Sequence, residues 1–191
     1  MTAPAKTARL VVDVAGRASI ARYVASPNCD ERPDGVEVTL AVIHGISLPP
    51  GQFGGKGIEQ LFTNRLDSGA HPYYATLAGL RVSAHFVIRR NGALLQFVPG
   101  ARRAWHAGAS SWQGRERCND FSIGIELEGT DTLPYAAAQY TLLARLLKAL
   151  TRRYPIRHVV GHRDIAPGRK TDPGPAFDWA RLSRLIAPRR R

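Results

Sequence analysis

The sequence predicts a single α/β domain built on a central mixed β-sheet flanked by helices, and three observations carry that expectation. Short β-branched runs at 36–46, 121–129 and 157–161 alternate with stretches whose apolar residues fall at helical spacing, the order expected of strands linked by helices. Two further strand-like runs, 82–90 and 93–98, flank Asn91 and Gly92, a dipeptide that favours a two-residue hairpin and so an antiparallel pair within the sheet. No repeat or linker divides the 191 residues, enough chain to bury about two thirds of its unfolded surface in one core.

Residues 1–35 have mixed polarity, three prolines (Pro4, Pro27, Pro33) and no sustained period, and read as an N-terminal arm packed on the domain at 36–187. Within 36–46 the apolar stretch 40–43 suits a strand covered on both faces, with His44 at its end. The Pro- and Gly-rich segment 47–57 then leads into Ile58, Leu61, Phe62 and Leu66, spaced for a short amphipathic helix. His85 falls inside the first hairpin strand, at a core or face position. Trp105 and His106 follow in a loop, where an aromatic beside an imidazole suits the floor of a sugar site and a plug for the core equally well.

In 121–129, Ile123, Ile125 and Leu127 face one way and Gly124, Glu126 and Glu128 the other. Two acids on one strand face are not both comfortably buried, so one is expected in a cleft and the other toward water. Leu143, Leu146, Leu147 and Leu150 form the apolar stripe of a longer helix over 136–153, stopped by Pro155. A last helix over 176–186 offers Phe177, Trp179, Leu182 and Leu185 to the sheet, and 188–191 is a basic tail.

A net charge of +12 favours anionic partners, nucleic acid among them. The arginines, however, are scattered, the densest cluster is the C-terminal 189–191, and no nucleic-acid module is present, so no nucleic-acid partner is expected. Cys29 and Cys118 match neither a disulfide framework nor a Cys-based zinc cluster and read as free thiols in a reducing compartment. Leu10, Val11, Val12 and Val14 are interrupted by Asp13 and too short for a membrane span or export signal. The expectation is a cytoplasmic monomer without a membrane partner.

The segment 161–175 concentrates the chemistry. His162, Asp164, Lys170 and Asp172 sit among Pro and Gly at the end of a short strand, where α/β sheets place ligands. His44 and His162 with one carboxylate meet the needs of a catalytic zinc site without any Cys. Asp164 is nearer in sequence, whereas Asp172 precedes Pro173 in a loop able to turn back over the strand end; spacing leaves both open.

Longer motifs go further. Ile-Ser-Leu-Pro-Pro-Gly at 46–51, Leu-Arg-Val-Ser-Ala-His at 80–85, Arg-Ala-Trp-His-Ala-Gly at 103–108, and the runs 113–133 and 169–181 belong to a match extending over about 26–181. In these the chain resembles the AmpD-type zinc amidases, the 1,6-anhydro-N-acetylmuramoyl-L-alanine amidases of the amidase 2 family, which have a peptidoglycan-recognition-protein-like fold. The resemblance implies Zn²⁺ bound by His44, His162 and Asp172, Glu126 as catalytic acid and base, and Lys170 beside the metal. It also implies a muropeptide substrate in a cleft lined by Arg81, Trp105 and Arg117. The expected reaction is hydrolysis of the bond between the lactyl group of muramic acid and L-alanine, in bacterial cell-wall recycling that lowers the muropeptide signal for β-lactamase induction. The rival readings are a non-catalytic peptidoglycan-binding module and an amidase of intact peptidoglycan. The sequence departs from its relatives at Gly45, where Asn commonly follows the first ligand His.

Overall fold

The computed structural model describes residues 9–187; the basic tail read at 188–191 and the first eight residues of the arm lie outside the described residues. Along the chain the elements are β1 (Arg22–Tyr23), β2 (Cys29–Asp30), β3 (Leu40–Ile46), α1 (Gly57–Phe62), α2 (Pro72–Ala75), β4 (Phe86–Ile88), β5 (Leu94–Gln96), β6 (Arg103–Ala104), β7 (Ser111–Trp112), β8 (Arg115–Glu116), β9 (Ser122–Glu128), α3 (Ala137–Arg153), β10 (His158–Gly161), α4 (His162–Ile165) and α5 (Trp179–Ile186). Six strands make one sheet in the order β1-β5-β4-β9-β3-β10. β4, β9, β3 and β10 run parallel, β5 pairs antiparallel with β4, and β1 adds to the edge parallel with β5. This is the mixed, helix-flanked sheet that the sequence predicts.

Alternation along the strands sorts side chains onto two faces. Ala41, Ile43, Ile123, Ile125 and Leu127 pack beneath α3, which contributes Leu143, Leu146, Leu147 and Leu150. At roughly 1.5–3 kcal/mol per fully buried side chain, those four leucines contribute about 6–12 kcal/mol before chain entropy, whereas propensity differences are below about 0.7 kcal/mol per ordinary residue. Packing therefore holds α3 in place. Gln139 in its first turn adds a polar anchor, donating to the Ile88 and Glu128 carbonyls. On the opposite face Leu40 and Val42 join Val160 and Ile165, while Val87 and Leu95 pack against Ile58, Leu61 and Phe62 of α1.

Four details differ from the sequence reading. The strand expected over 36–46 begins only at Leu40, because its neighbours start opposite that residue, at Ser122 and His158. The helix expected to reach Leu66 stops at Phe62, since Asn64 takes a left-handed φ of 58°. The last helix starts at Trp179, where the Asp178 side chain accepts the Arg181 N–H. The hairpin loop has three residues, 90–92. Arg89 pairs with Ala93, the Gly92 N–H donates to the Arg89 carbonyl, and Gly92 takes the left-handed position at φ 83°.

The arm is also built into the domain. Leu10, Val12 and Ala18 join the main core, and Arg22–Tyr23 forms the sheet edge. The Arg32 guanidinium donates to the carbonyls of Gly100, Asn119, Asp120 and Ser122.

Glu128 corrects the expectation that one acid of β9 faces water. It is 2% exposed, and its Oε1 accepts from Arg89 Nη1 and from the Gly54 N–H, both at 2.7 Å. Two carboxylates fit on one strand face because this one is paired. Glu128→Ala would leave the Arg89 guanidinium buried with only the longer 3.3 Å contact to Glu59. The expected loss is about 3–5 kcal/mol, measured by urea unfolding.

Candidate metal centre and active-site cleft

Parallel pairing gathers the reactive side chains into one row. β3 and β9 place His44 opposite Glu126, and β9 and β4 place Glu126 opposite Val87. β10 aligns Gly161 with Ile43, so His162 comes one step further on, beside His44, with 4.4 Å between ring centroids. All stand at the carboxyl ends of parallel strands, on the face away from α3. A cleft of about 580 Å³ opens there, lined by His44, Glu126, His162, Lys170 and Asp172 and walled in part by Leu48 and Leu80.

Asp172 enters from the loop after α4. Its carbonyl accepts the Arg163 N–H, which folds the loop back onto the start of that helix. Its Oδ2 lies 3.3 Å from His44 Nδ1 and 3.2 Å from His162 Nδ1, and the three candidate ligand atoms are all within 4.8 Å of one another. Asp164 has a different place: its Oδ2 accepts the Gly161 N–H at 2.7 Å and caps the turn of α4. Geometry thus separates two carboxylates that spacing does not.

The donor set fits a metal ion. His162 Nε2 is 3.2 Å from the Ala107 carbonyl, which only accepts, so this imidazole donates from Nε2 and keeps a lone pair on Nδ1. That lone pair and the Asp172 carboxylate oxygen would repel at 3.2 Å; a cation between them reverses the sign. Burial, with smaller help from His162 and Lys170 and against the pull of Asp172, brings His44 down to about 4, so it is neutral at pH 7. Two imidazoles and one carboxylate are a set suited to a divalent metal.

Glu126 is poised differently. It is buried, and among the described residues its Oε2 has no hydrogen-bond partner. Burial and the nearby Asp172 push its carboxyl well above the ordinary value, with the Lys170 ammonium opposing. Lys170 itself is exposed at the cleft margin.

The three residues expected to line the substrate cleft are dispersed. Arg81 is exposed between Leu80 and Val82, which do line it. Trp105 is partly buried, its main-chain N–H on Ser83 Oγ. Arg117 is exposed, pairs with Asp120 at 3.2 Å and borders a separate depression with Arg169. His106, beside Trp105 in the loop read as sugar floor or core plug, lines the cleft with its Nδ1 2.9 Å from His44 Nε2. Gly45 has a steric reason. A Cβ there would collide with the Tyr135 hydroxyl, which donates to the Pro173 carbonyl and ties the Asp172 loop across β3. A second cavity, about 730 Å³, lies beside Glu128, where Arg22, Glu59 and Arg89 already pair among themselves.

Fold and cleft define a class of protein. The model of the N-acetylmuramoyl-L-alanine amidase family, Amidase_2, matches residues 34–175, and the chain belongs to that family. Within it, the chain is 61% identical over 170 residues to the 1,6-anhydro-N-acetylmuramyl-L-alanine amidase AmpD of Citrobacter freundii, covering 88% of this chain and 91% of the relative. It is likewise 61% identical over 169 residues to AmpD of Escherichia coli strain K12, covering 87% and 92%. A crystal structure of a selenomethionine derivative of AmpD superposes with a TM-score of 0.90 at 59% identity, covering 93% of this chain and 99% of that one. The amidase AmiD from E. coli, in complex with the substrate anhydro-N-acetylmuramic acid-L-Ala-D-gamma-Glu-L-Lys, superposes at 0.57 with 33% identity, covering 81% and 60%.

The raised Glu126 carboxyl has a consequence for stability. Its folded state holds a proton that the unfolded chain releases near 4.5, so ionisation opposes folding as pH rises above that value. In chelator-treated protein, Glu126→Gln is therefore expected to match wild-type stability below pH about 4.5 and to exceed it increasingly toward neutral pH. Urea unfolding across pH 4 to 8 checks the sign.

Proposed function

We propose that this chain is a zinc-dependent amidase that hydrolyses the bond between the lactyl group of 1,6-anhydro-N-acetylmuramic acid and L-alanine in soluble muropeptides. The observation that carries the reading is the buried Glu126 carboxyl, one oxygen of it without a partner among the described residues, in one strand row with His44 and His162, with Asp172 closing the cluster. A non-catalytic binding module has no need of such a group.

His44, His162 and Asp172 would hold the metal. Zinc, when bound, supplies a Lewis acid that acidifies water and polarises the scissile carbonyl. Glu126 is placed to take a proton from the attacking water and pass it to the departing amine. Its raised affinity for protons suits it to hold the proton between the two halves of that exchange. The Lys170 ammonium stands at the cleft margin, where it would stabilise negative charge developing on the carbonyl oxygen. Arg81 on the rim is available to the carboxylates of the peptide stem; Trp105 and Arg117 lie outside the lining and would reach substrate only at its far ends.

The AmpD names of the relatives and the anhydromuramyl peptide bound by AmiD support the substrate class. The identity to the C. freundii AmpD, 61%, exceeds the 43% to AmiD of E. coli, which favours the anhydromuramyl substrate that the AmpD name carries. Action in the cytoplasm is supported by two free cysteines, Cys29 and Cys118, and among the described residues no helix is long and apolar enough to cross a membrane.

Anhydromuramoyl tripeptide is expected to be cleaved to free tripeptide, with activity lost on chelation and restored by zinc. Asp172→Ala is expected to lose zinc, while Asp164→Ala keeps it with lowered stability. Glu126→Gln is expected to retain about one zinc while kcat falls by about 10²-fold to 10⁴-fold. Metal analysis beside product chromatography reads all of these, and full turnover by chelated protein would overturn the proposal.

A further inference from the structure

We propose that His106 and Ser122 are a positioning pair that sets the tautomer of His44 and so presents its Nδ1 lone pair to the metal. The inference rests on the reading of His44, His162 and Asp172 as metal ligands. It begins with a difference between the two imidazoles. His162 turns its Nε2 to a main-chain carbonyl, whose polarity leaves no choice of tautomer. His44 turns its Nε2 to a second imidazole, His106 Nδ1, at 2.9 Å. A ring nitrogen can donate or accept, so this contact by itself fixes nothing.

The remainder of the chain of contacts supplies the direction. His106 Nε2 lies 3.1 Å from Ser122 Oγ, and the Ser122 hydroxyl reaches the carbonyl of Cys118. A carbonyl only accepts, so Ser122 donates to it, and Ser122 Oγ then accepts the Nε2–H of His106. With its proton on Nε2, His106 has a bare Nδ1 and accepts the Nε2–H of His44. His44 Nδ1 is left without a proton, facing Asp172 Oδ2 at 3.3 Å. The polarity of one main-chain carbonyl is thereby carried through a hydroxyl and two imidazoles to the candidate metal ligand.

The surroundings hold His106 to this task. Asn119 Oδ1 accepts the main-chain N–H groups of both His106 and Ala107, which fixes the loop from which the ring projects. The ring lies against β9 at Gly124, where any Cβ would collide with it. A larger residue at Gly124 would push the imidazole away from His44. His106 touches no reacting atom in this scheme; it acts through His44.

The test uses the full chain with zinc. Zinc affinity is read by competition with a chromophoric chelator, and the tautomer of His44 by ¹⁵N NMR of imidazole nitrogens in chelated protein. Wild type is expected to bind one zinc and to carry the His44 proton on Nε2; failure to bind zinc at all would sink the metal-centre reading and this inference with it. His106→Leu is expected to weaken zinc binding by about 10-fold to 100-fold. It should also shift His44 to a mixture of tautomers. His106→Asn, which restores an acceptor near the Nδ1 position, is expected to recover most of both losses. Ser122→Ala keeps the His106 ring but removes its polarity, and is expected to loosen the tautomer with a smaller loss of affinity. A folded His106→Leu protein with wild-type zinc affinity and an unchanged His44 tautomer overturns the inference, the metal centre standing. Should His106→Leu fail to fold, Ser122→Ala decides: an unchanged tautomer and affinity there overturns it equally.

Discussion

The cleft depends on the in-register parallel pairing of β10, β3 and β9. His44 lies opposite Glu126 because Ile43 lies opposite Ile125 and Ala41 opposite Ile123. A slip of one residue would turn Glu126 and Glu128 into the apolar layer beneath α3 and bring Ile125 or Leu127 into the cleft. Burying Ile123, Ile125 and Leu127 is worth roughly 1.5–3 kcal/mol each, and an unpaired acid in their place costs several more. The hydrophobic effect on one face of the sheet thus positions the chemistry on the other.

The two acids of β9 show how burial is turned to opposite ends. Glu128 is satisfied by Arg89 and by the Gly54 N–H, and through Gly54 it anchors the loop whose Leu48 and Pro50 wall the cleft. Glu126, two residues earlier, keeps an oxygen without a partner. One carboxylate stabilises the frame; the other is held well above the ordinary value by its burial and the nearby Asp172. Beneath both, Arg32 from the arm donates to the Ser122 carbonyl and steadies the first residue of the same strand. The segment read as an arm packed on the domain thus contributes to the support of this strand.

Fold class and much of the candidate site were legible in the sequence because strand alternation and helical spacing are local patterns. The Ile123, Ile125, Leu127 face, the α3 leucine stripe, and His44 and His162 at strand ends needed no knowledge of neighbours. What stayed hidden was pairwise. Whether Asp164 or Asp172 faces the histidines, why Gly45 has no side chain, that Glu128 is paired, and that His106 rather than Trp105 lies at the heart of the cleft depend on contacts between segments 38 to 128 residues apart in the chain. Spacing along a chain constrains what a residue's own strand or helix does with it. Only close packing of separate segments decides which lone pair meets which proton, and that is what the tertiary structure determined.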